Sequence, residues 1–344
     1  MNVLYVNHND LNTDSRGRRC VDFLRSAFDV KIYSSNNRSR FSSRVLRVIE
    51  YIYFNFSFFF YIIRNHRNYD RIYLADIYCT IFPVSLLRGK IKSKICYDSY
   101  ELMLPFDDYN SHFRTAVVVL LEKRVIRSAR VNICASRERA LIMLGYYKLN
   151  RVPIVIRNLY VGQVELRNKL YKIKSQMVIL YIGSLGRNRG LRRFIDTFKN
   201  IAGVQLRIVG GGPEYDGILE KIEREGIGNV SVEGSYEYSD LPKYMASADI
   251  GFLHYPNVGL NNIFCAPNKI SEYAYYSLPV ITNQNPGLEA IVNEWKIGVA
   301  SDDYLRAFDI IKNNMQMFID NCYQYSVHNI SDNDRNRLIE GIES

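Results

Sequence analysis

The chain has no C-x-x-C pair. Its six cysteines, at positions 20, 79, 96, 134, 265 and 322, are scattered through mostly apolar surroundings. That spacing excludes a zinc knuckle and a disulfide framework, and a reducing cytosol is the simplest home. The opening MNVLYVNHND lacks a basic segment leading into a long apolar one; no signal peptide is expected, and the stretch reads as a first strand. No RNP-like, zinc-finger or helix-turn-helix pattern accompanies the 27 tyrosines and 17 phenylalanines. The net charge of +10 favours a polyanionic partner, but nucleic acid is not expected, which leaves phosphorylated substrates and an anionic membrane surface as candidates. Solenoid repeats and low-complexity tracts are also missing. The only Asp-x-Asp, Asp332 to Asp334, has no strand before it; it reads as a helix cap, and no metal is expected.

What is present is a globular composition, 47% hydrophobic and 23% charged over 344 residues, long enough for two cores of roughly 150 residues each. Apolar runs of strand length recur at 3–6, 30–33, 71–74, 94–97, 131–135 and 153–156, with helix-length segments between them. A second series follows at 177–182, 206–210, 230–234, 250–253, 278–281 and 297–300. Unbroken apolar strands alternating with helices indicate parallel sheets covered on both faces, hence an α/β chain of two doubly wound domains in tandem. The charged stretch 158–176 separates the series, and the boundary is set near residue 165. After Ala300 the pattern is helical.

Residues Tyr51 to Ile63, YIYFNFSFFFYII, form an aromatic band flanked by Arg44, Arg47, Arg64 and Arg67. As a helix it spans about 20 Å, short of the roughly 30 Å bilayer core. Two readings stand: a crossover helix buried in the first domain, because cores favour large rings, and an interfacial helix, because basic flanks around aromatic anchors suit a membrane surface.

The most informative stretch is Pro256 to Thr282, PNVGLNNIFCAPNKISEYAYYSLPVIT. An Asn-rich loop leads to Pro267, where a helix should start with its free N–H groups facing the loop, a ready anion site. PNKISEYAYYSLPVI resembles the donor-site signature of GT-B glycosyltransferases, in particular family 4. The resemblance extends through LYIGSLGRNRGL (180–191), RIVGGGPEYDGIL (207–219) and VEGSYEYSDLPKYMASADIGFL (232–253), and more weakly through NTDSRGRR (12–19) and YDSYEL (97–102). It implies a GT-B fold of two Rossmann-like domains facing a central cleft: an acceptor-binding domain, 1–165, a nucleotide-sugar-binding domain, 166–320, and a helical tail, 321–344, that crosses back to the N-terminal domain. It also implies a nucleotide diphosphate sugar as donor substrate with no separate cofactor, a glycan or lipid-linked sugar as acceptor, metal independence, retention of anomeric configuration and a role in bacterial surface polysaccharide synthesis. The expected location is cytoplasmic, or peripheral on the inner face of the cytoplasmic membrane.

The residues themselves support particular roles. Gly183 and Gly186 let backbone approach a ligand, and Arg187 and Arg189 carry guanidinium groups suited to phosphate; Arg189, followed by Gly190, matches the family's pyrophosphate-binding cation. A solvated arginine in a strand-to-helix turn is the plain alternative. Gly211 lies in a glycine cluster that is more often turn chemistry than ligand binding, although the resemblance sets it, Ser184, Gly234 and Ser235 beside the nucleotide. Glu272 matches the carboxylate that accepts from the donor ribose, where a surface glutamate would be the bland reading. Pro267, Asn268, Lys269 and Asn262 complete the donor side.

Two departures matter. The family's first glutamate, eight positions before the second, is here Phe264, and its N-terminal histidine is here Tyr100. Asn261, Asn262, Asn268 and Lys269 could contact the transferred sugar instead, and a tyrosine can still donate a hydrogen bond. After the first strand come Asn7, His8 and Asn9; His8 is a catalytic candidate with Tyr100, Arg189 and Glu272, although a lone histidine is more often structural. Asp14 and Arg16 open a helix resembling that of several sugar transferases. Asn7, Asn9, Arg16, Asp98 and Glu101 are assigned to the acceptor side. The rival readings are a GT-B sugar-nucleotide epimerase and an inactive scaffold.

Overall fold

Every apolar run named above contains a strand. The computed structural model describes all residues except 12–13, 35–43, 81, 105–112, 161, 163–169, 173 and 330–332, together with the side chains of Arg44, Val45, Arg47 and residues 113–115. The boundary expected near residue 165, and Asp332 of the Asp-x-Asp, lie outside the described residues. Two compact units are present: Met1–Asn158 with Asp332–Ser344, and Leu159–Ser331.

The first unit holds β1 (Asn2–Asn7), β2 (Asp29–Ser34), β3 (Arg71–Ala75), β4 (Ile95–Asp98), β5 (Val131–Cys134) and β6 (Ile154–Val155), in the order β2-β1-β3-β4-β5-β6. All pair in parallel, with Leu4 opposite both Lys31 and Ile72. Parallel strands are covered on both faces, which is why β1, β3 and β4 contain almost no exposed residue. Val3, Tyr5, Tyr73, Cys96 and Ile133 form a core that also takes in Leu338 and Ile342 from the final helix, Asn333–Glu343. Asp334, buried near the start of that helix, accepts hydrogen bonds from Arg157 N at 3.0 Å and Arg157 Nε at 3.2 Å.

The helix Arg44–Asn65 presents two different faces. Phe54, Phe58 and Ile62 are buried, whereas Ile49, Ile52, Tyr53, Phe56, Phe60 and Ile63 are exposed, at the three- and four-residue spacing of one helical stripe. The buried-crossover reading therefore holds for one face only. Arg64 and Arg67 are exposed at its end; the side chains of Arg44 and Arg47 are outside the described residues.

The second unit holds β7 (Met177–Ile182), β8 (Val204–Val209), β9 (Val230–Glu233), β10 (Ile250–Leu253), β11 (Val280–Thr282) and β12 (Gly298–Ala300), in the order β12-β11-β10-β7-β8-β9, again parallel. Alternation along β7 divides its core into two layers. Ile179 and Tyr181 pack with Phe194, Phe252 and Phe308, while Leu180 and Ile182 pack with Tyr273, Val280 and Leu288. All six cysteines are buried and none is in a disulfide, four in the first unit and two in the second.

Each sheet reverses its winding once, at β1/β3 in the first unit and at β7/β10 in the second. Open α/β sheets bind ligands outside the carboxyl ends of the strands at such a point.

Candidate functional site

Beyond the ends of β7 and β10, the second unit gathers most of its expected site residues. Leaving β7, the chain turns at Gly183, whose N–H donates to Val209 O at 2.9 Å. Gly210 fits against this turn with φ +144°, and a Cβ there would overlap the Gly183 carbonyl oxygen, so only glycine is accommodated. Leaving β10, the chain passes through residues 254–266 to the helix Asn268–Tyr275, with Pro267 as its cap. That helix is pinned by Tyr273, whose hydroxyl receives the Ile182 N–H at 3.2 Å and lies within hydrogen-bonding distance of the carbonyls of Leu180 and Phe252. The ring fits over Gly251, where any Cβ would meet it.

The pinned helix holds Glu272 only 1% exposed. Its Oε2 accepts from Lys269 Nζ at 2.6 Å and its Oε1 from the Tyr238 hydroxyl at 3.2 Å; Lys269 Nζ also donates to Tyr236 Oη at 2.9 Å. Burial pulls the Lys269 pKa down, but the adjacent Glu272 outweighs it and the net shift is upward, so the ammonium stays charged. Gly183 lies within van der Waals reach of the Lys269 side chain for any added Cβ. Arg189 stacks its guanidinium 4.1 Å from the centre of the Tyr255 ring, and its Nη1 is buried with no hydrogen-bond partner. A buried cationic donor without an acceptor favours an anion. Arg187, by contrast, is exposed, with Glu214 3.9 Å away.

Other expected donor-side residues shape the backbone around this cluster. Ser184 O accepts from the Tyr181 hydroxyl at 2.6 Å, Gly234 O accepts from Gly210 N at 3.1 Å, and Gly211 abuts Ser235 Oγ. Asn268 O accepts from Ser271 Oγ at 2.9 Å. Asn262 is turned toward its own loop, donating to Val258 O at 3.0 Å. The loop is fastened by two residues the sequence reading passed over. Asn285 Nδ2 donates to Asn262 O at 3.0 Å while its Oδ1 caps the helix Pro286–Trp295, and Asn283 exchanges hydrogen bonds with the backbone of Tyr255. An Asn immediately before a Pro was the available signal for that cap.

In the first unit, the ends of β1 and β3 form a different kind of rim. Asn7 is fully buried, donating to Asp14 Oδ2 at 2.7 Å and accepting from Asn9 N at 2.9 Å. Asp14 caps the helix Ser15–Arg25 and accepts from the Tyr100 hydroxyl at 3.1 Å, which also lies 3.2 Å from Tyr5 Oη. Arg16 and Asp98, expected on the acceptor side, are buried in a two-pronged ion pair at 2.6 and 3.0 Å. Arg16 Nη1 is taken by Ile156 O and Asn158 Oδ1, and the Tyr73 hydroxyl donates to Asp98. Both are buried groups that anchor the helix start to the sheet. Burial lowers the Arg16 pKa, but Asp98 raises it further, leaving it well above the usual value. Glu101 is exposed, its carbonyl accepting from Ser99 Oγ at 2.9 Å.

His8 sits among the rings of Tyr51, Phe54 and Tyr78, 4.2 to 6.4 Å between centres. Burial lowers its pKa to about 4, so it is neutral near pH 7. Across the same rim, at the end of β3, is a residue no motif pointed to. Asp76 adopts φ 72° and ψ 161°, a conformation costly for any residue but glycine, with Oδ1 accepting from Ile77 N at 2.7 Å; burial raises its carboxyl to about 7. Among the described residues no cluster of His, Cys, Asp or Glu could hold a metal ion.

Residues 176–311 match the family model described as Glycosyl transferases group 1. Among solved structures the chain is similar to WaaG, a glycosyltransferase involved in lipopolysaccharide biosynthesis, at 12% identity and TM-score 0.68, covering 99% of this chain and 98% of that one. It is similar to HepE of Anabaena in complex with UDP-glucose, at 15% identity and TM-score 0.67, covering 100% and 99%. It is also similar to a trehalose-6-phosphate protein of E. coli bound with UDP-2-fluoro glucose, at 11% identity and TM-score 0.69, covering 100% and 99%. No curated protein matches the sequence. The chain has the two-domain α/β GT-B fold, and the residues that match the group 1 model lie in its second unit.

Proposed function

We propose that the chain is a retaining, metal-independent glycosyltransferase that moves a sugar from a nucleotide diphosphate sugar to a glycan or lipid-linked acceptor. Bacterial surface polysaccharide synthesis, at the inner face of the cytoplasmic membrane, is the setting this reading gives it. The observation that carries it is the pairing, at the β7/β10 winding reversal, of the partnerless Arg189 Nη1 with the buried Lys269–Glu272 pair. Breaking a bond from sugar to diphosphate leaves negative charge on phosphate oxygens, and fixed cations stabilise that charge as it develops. Arg189 takes the diphosphate, helped by the Gly183–Ser184 backbone; Lys269 supplies a second positive charge. These two cations support a mechanism without metal.

Glu272, rigid and with its Oε1 held only by a 3.2 Å bond from Tyr238, accepts from the ribose hydroxyls. Asn268 and Lys269 contact the transferred sugar, the task that Phe264 cannot perform. In the first unit, His8 is neutral and so can accept or donate a single hydrogen bond, and Asn9 and Glu101 meet the acceptor. Tyr100 and Asn7 hold Asp14 in place beside them.

Uridine diphosphate glucose is the first donor to test, because HepE is described in complex with it. Binding raises thermal stability with ligand concentration. Release of nucleotide should then require an acceptor fraction. Release at the same rate without acceptor overturns transfer in favour of an epimerase or hydrolase, and no stabilisation by any nucleoside diphosphate leaves a scaffold.

A further inference from the structure

The first unit contains a cavity of about 470 Å³ whose lining, among the described residues, includes Arg88, Lys92, Arg124, Arg127, Ser85 and Leu86 and no carboxylate. Four cations around one pocket repel one another unless an anion joins them. The one acid on the helix that carries Arg124, Glu122, faces away: it is 1% exposed and its Oε1 accepts from the Tyr97 hydroxyl at 2.5 Å. Independently, Ser85 is 5% exposed, and its Oγ is buried without a hydrogen-bond partner. A pocket lined by guanidinium and ammonium groups together with a serine whose hydroxyl has no partner is a binding set for phosphate oxygens.

The pocket adjoins the exposed stripe of the helix Arg44–Asn65. The Val84–Leu86 turn, which contributes Ser85 and Leu86 to the pocket, packs against that helix and against Phe113–Ile126. Phe82, also exposed, meets Phe56 edge-on at 5.6 Å between ring centres. The apolar surface therefore runs from Ile49, Tyr53 and Phe60 through Phe56 and Phe82 to Leu86. One face of the helix is committed to the core of its unit, so it can lie along a bilayer and cannot span one.

We propose that this face of the first unit seats on a bilayer containing anionic phospholipid, with a headgroup phosphate in the Arg88–Lys92–Arg124–Arg127 pocket and the aromatic stripe in the interfacial layer. The inference deepens the reading of a lipid-linked acceptor by naming the attachment site and the class of lipid. A soluble phosphate compound accounts for the pocket but leaves the stripe in water. A protein partner accounts for the stripe but not for four cations lining one pocket without a carboxylate. An anionic lipid surface satisfies both.

The test is flotation of the full chain, without nucleotide, on vesicles of phosphatidylcholine alone and of phosphatidylcholine with phosphatidylglycerol at low salt. The wild type floats with the mixed vesicles and not with the neutral ones. Arg124→Gln with Arg127→Gln lowers the partition coefficient about 30-fold, the equivalent of about 1 kcal/mol per basic residue. Tyr53→Ser with Phe60→Ser abolishes flotation, and both variants keep the wild-type thermal transition. Arg88→Gln with Lys92→Gln provides a second pocket variant should the first unfold. A wild type that floats with neither vesicle, or pocket variants that partition like it, overturns the proposal. Stabilisation by inorganic phosphate that the pocket variant loses, without any flotation, reassigns the pocket to a free phosphate compound and also overturns it. Because no nucleotide is present, failure here leaves the donor site of the second unit standing, and failure of nucleotide binding leaves this result unaffected.

Discussion

The two units share a winding pattern yet finish their rims in opposite ways. At β1/β3 nearly every polar group has a partner from its own unit: Asn7 with Asp14, Asp14 with Tyr100, Arg16 with Asp98. At β7/β10 a guanidinium nitrogen is left over, and the glycine turn leaves backbone uncovered beside it. One rim is closed on itself and contributes rigidity. The other has positive charge in reserve, which is what a diphosphate requires. A single winding reversal in each sheet thus fixes where a ligand can bind, while the balance of partners decides what it can be.

The largest effect that would sharpen this contrast is Asp98→Ala. It leaves Arg16 buried and uncompensated, and should cost about 3–5 kcal/mol of stability in urea unfolding. A loss under 1 kcal/mol would mean that the first rim is not the self-satisfied network described. Next comes the pH dependence of Asp76. Between about pH 4 and about pH 7 its carboxyl is ionised in the unfolded chain and protonated in the folded one. Unfolding then releases a proton, so this group makes stability fall as pH rises through that window, by about 2–4 kcal/mol. Asp76→Asn should flatten that part of the curve. Glu122, raised by burial to about 8, keeps its own slope up to that pH.

In the second rim the expected losses are in binding. Arg189→Ala and Glu272→Ala should each weaken nucleotide affinity by about 1.5–3 kcal/mol, the worth of a charged hydrogen bond, measured by calorimetric titration. Wild-type affinity in both variants would remove the donor assignment. The smallest effect belongs to Arg187→Ala. An exposed arginine at 3.9 Å from its acid contributes at most about 1 kcal/mol to stability, and a loss of affinity matching that of Arg189→Ala would erase the distinction drawn between the two arginines.

The sheets were legible in the sequence because a strand buried on both faces must be apolar throughout, and β1, β7 and β10 have no other way to be built. Glu272 and Arg189 were legible because each sits in a short motif with glycine or proline punctuation on either side. The Arg16–Asp98 pair joins residues far apart in the chain, and no local pattern announces it. The two faces of the helix Arg44–Asn65 escaped for another reason: both carry rings, so hydrophobic periodicity cannot separate the buried side from the exposed one. Asp76 escaped because backbone strain leaves no trace in residue type unless glycine is chosen to relieve it.

The six buried thiols have a consequence for how the molecule opens. Burial raises the thiol pKa of Cys20 and Cys134 to about 11 and of Cys96 to about 12, so alkylating reagents meet neither access nor thiolate while the fold holds. Modification then waits on local or global opening, and each cysteine becomes a clock for the element around it. Cys20, Cys79, Cys96 and Cys134 time the first unit; Cys265 times the loop before Pro267, and Cys322 the helix Met315–Asn329. Pulsed alkylation of the unaltered chain, read by peptide mass, would therefore resolve whether the two units melt together or in turn, and whether a bound nucleotide slows only the label at Cys265.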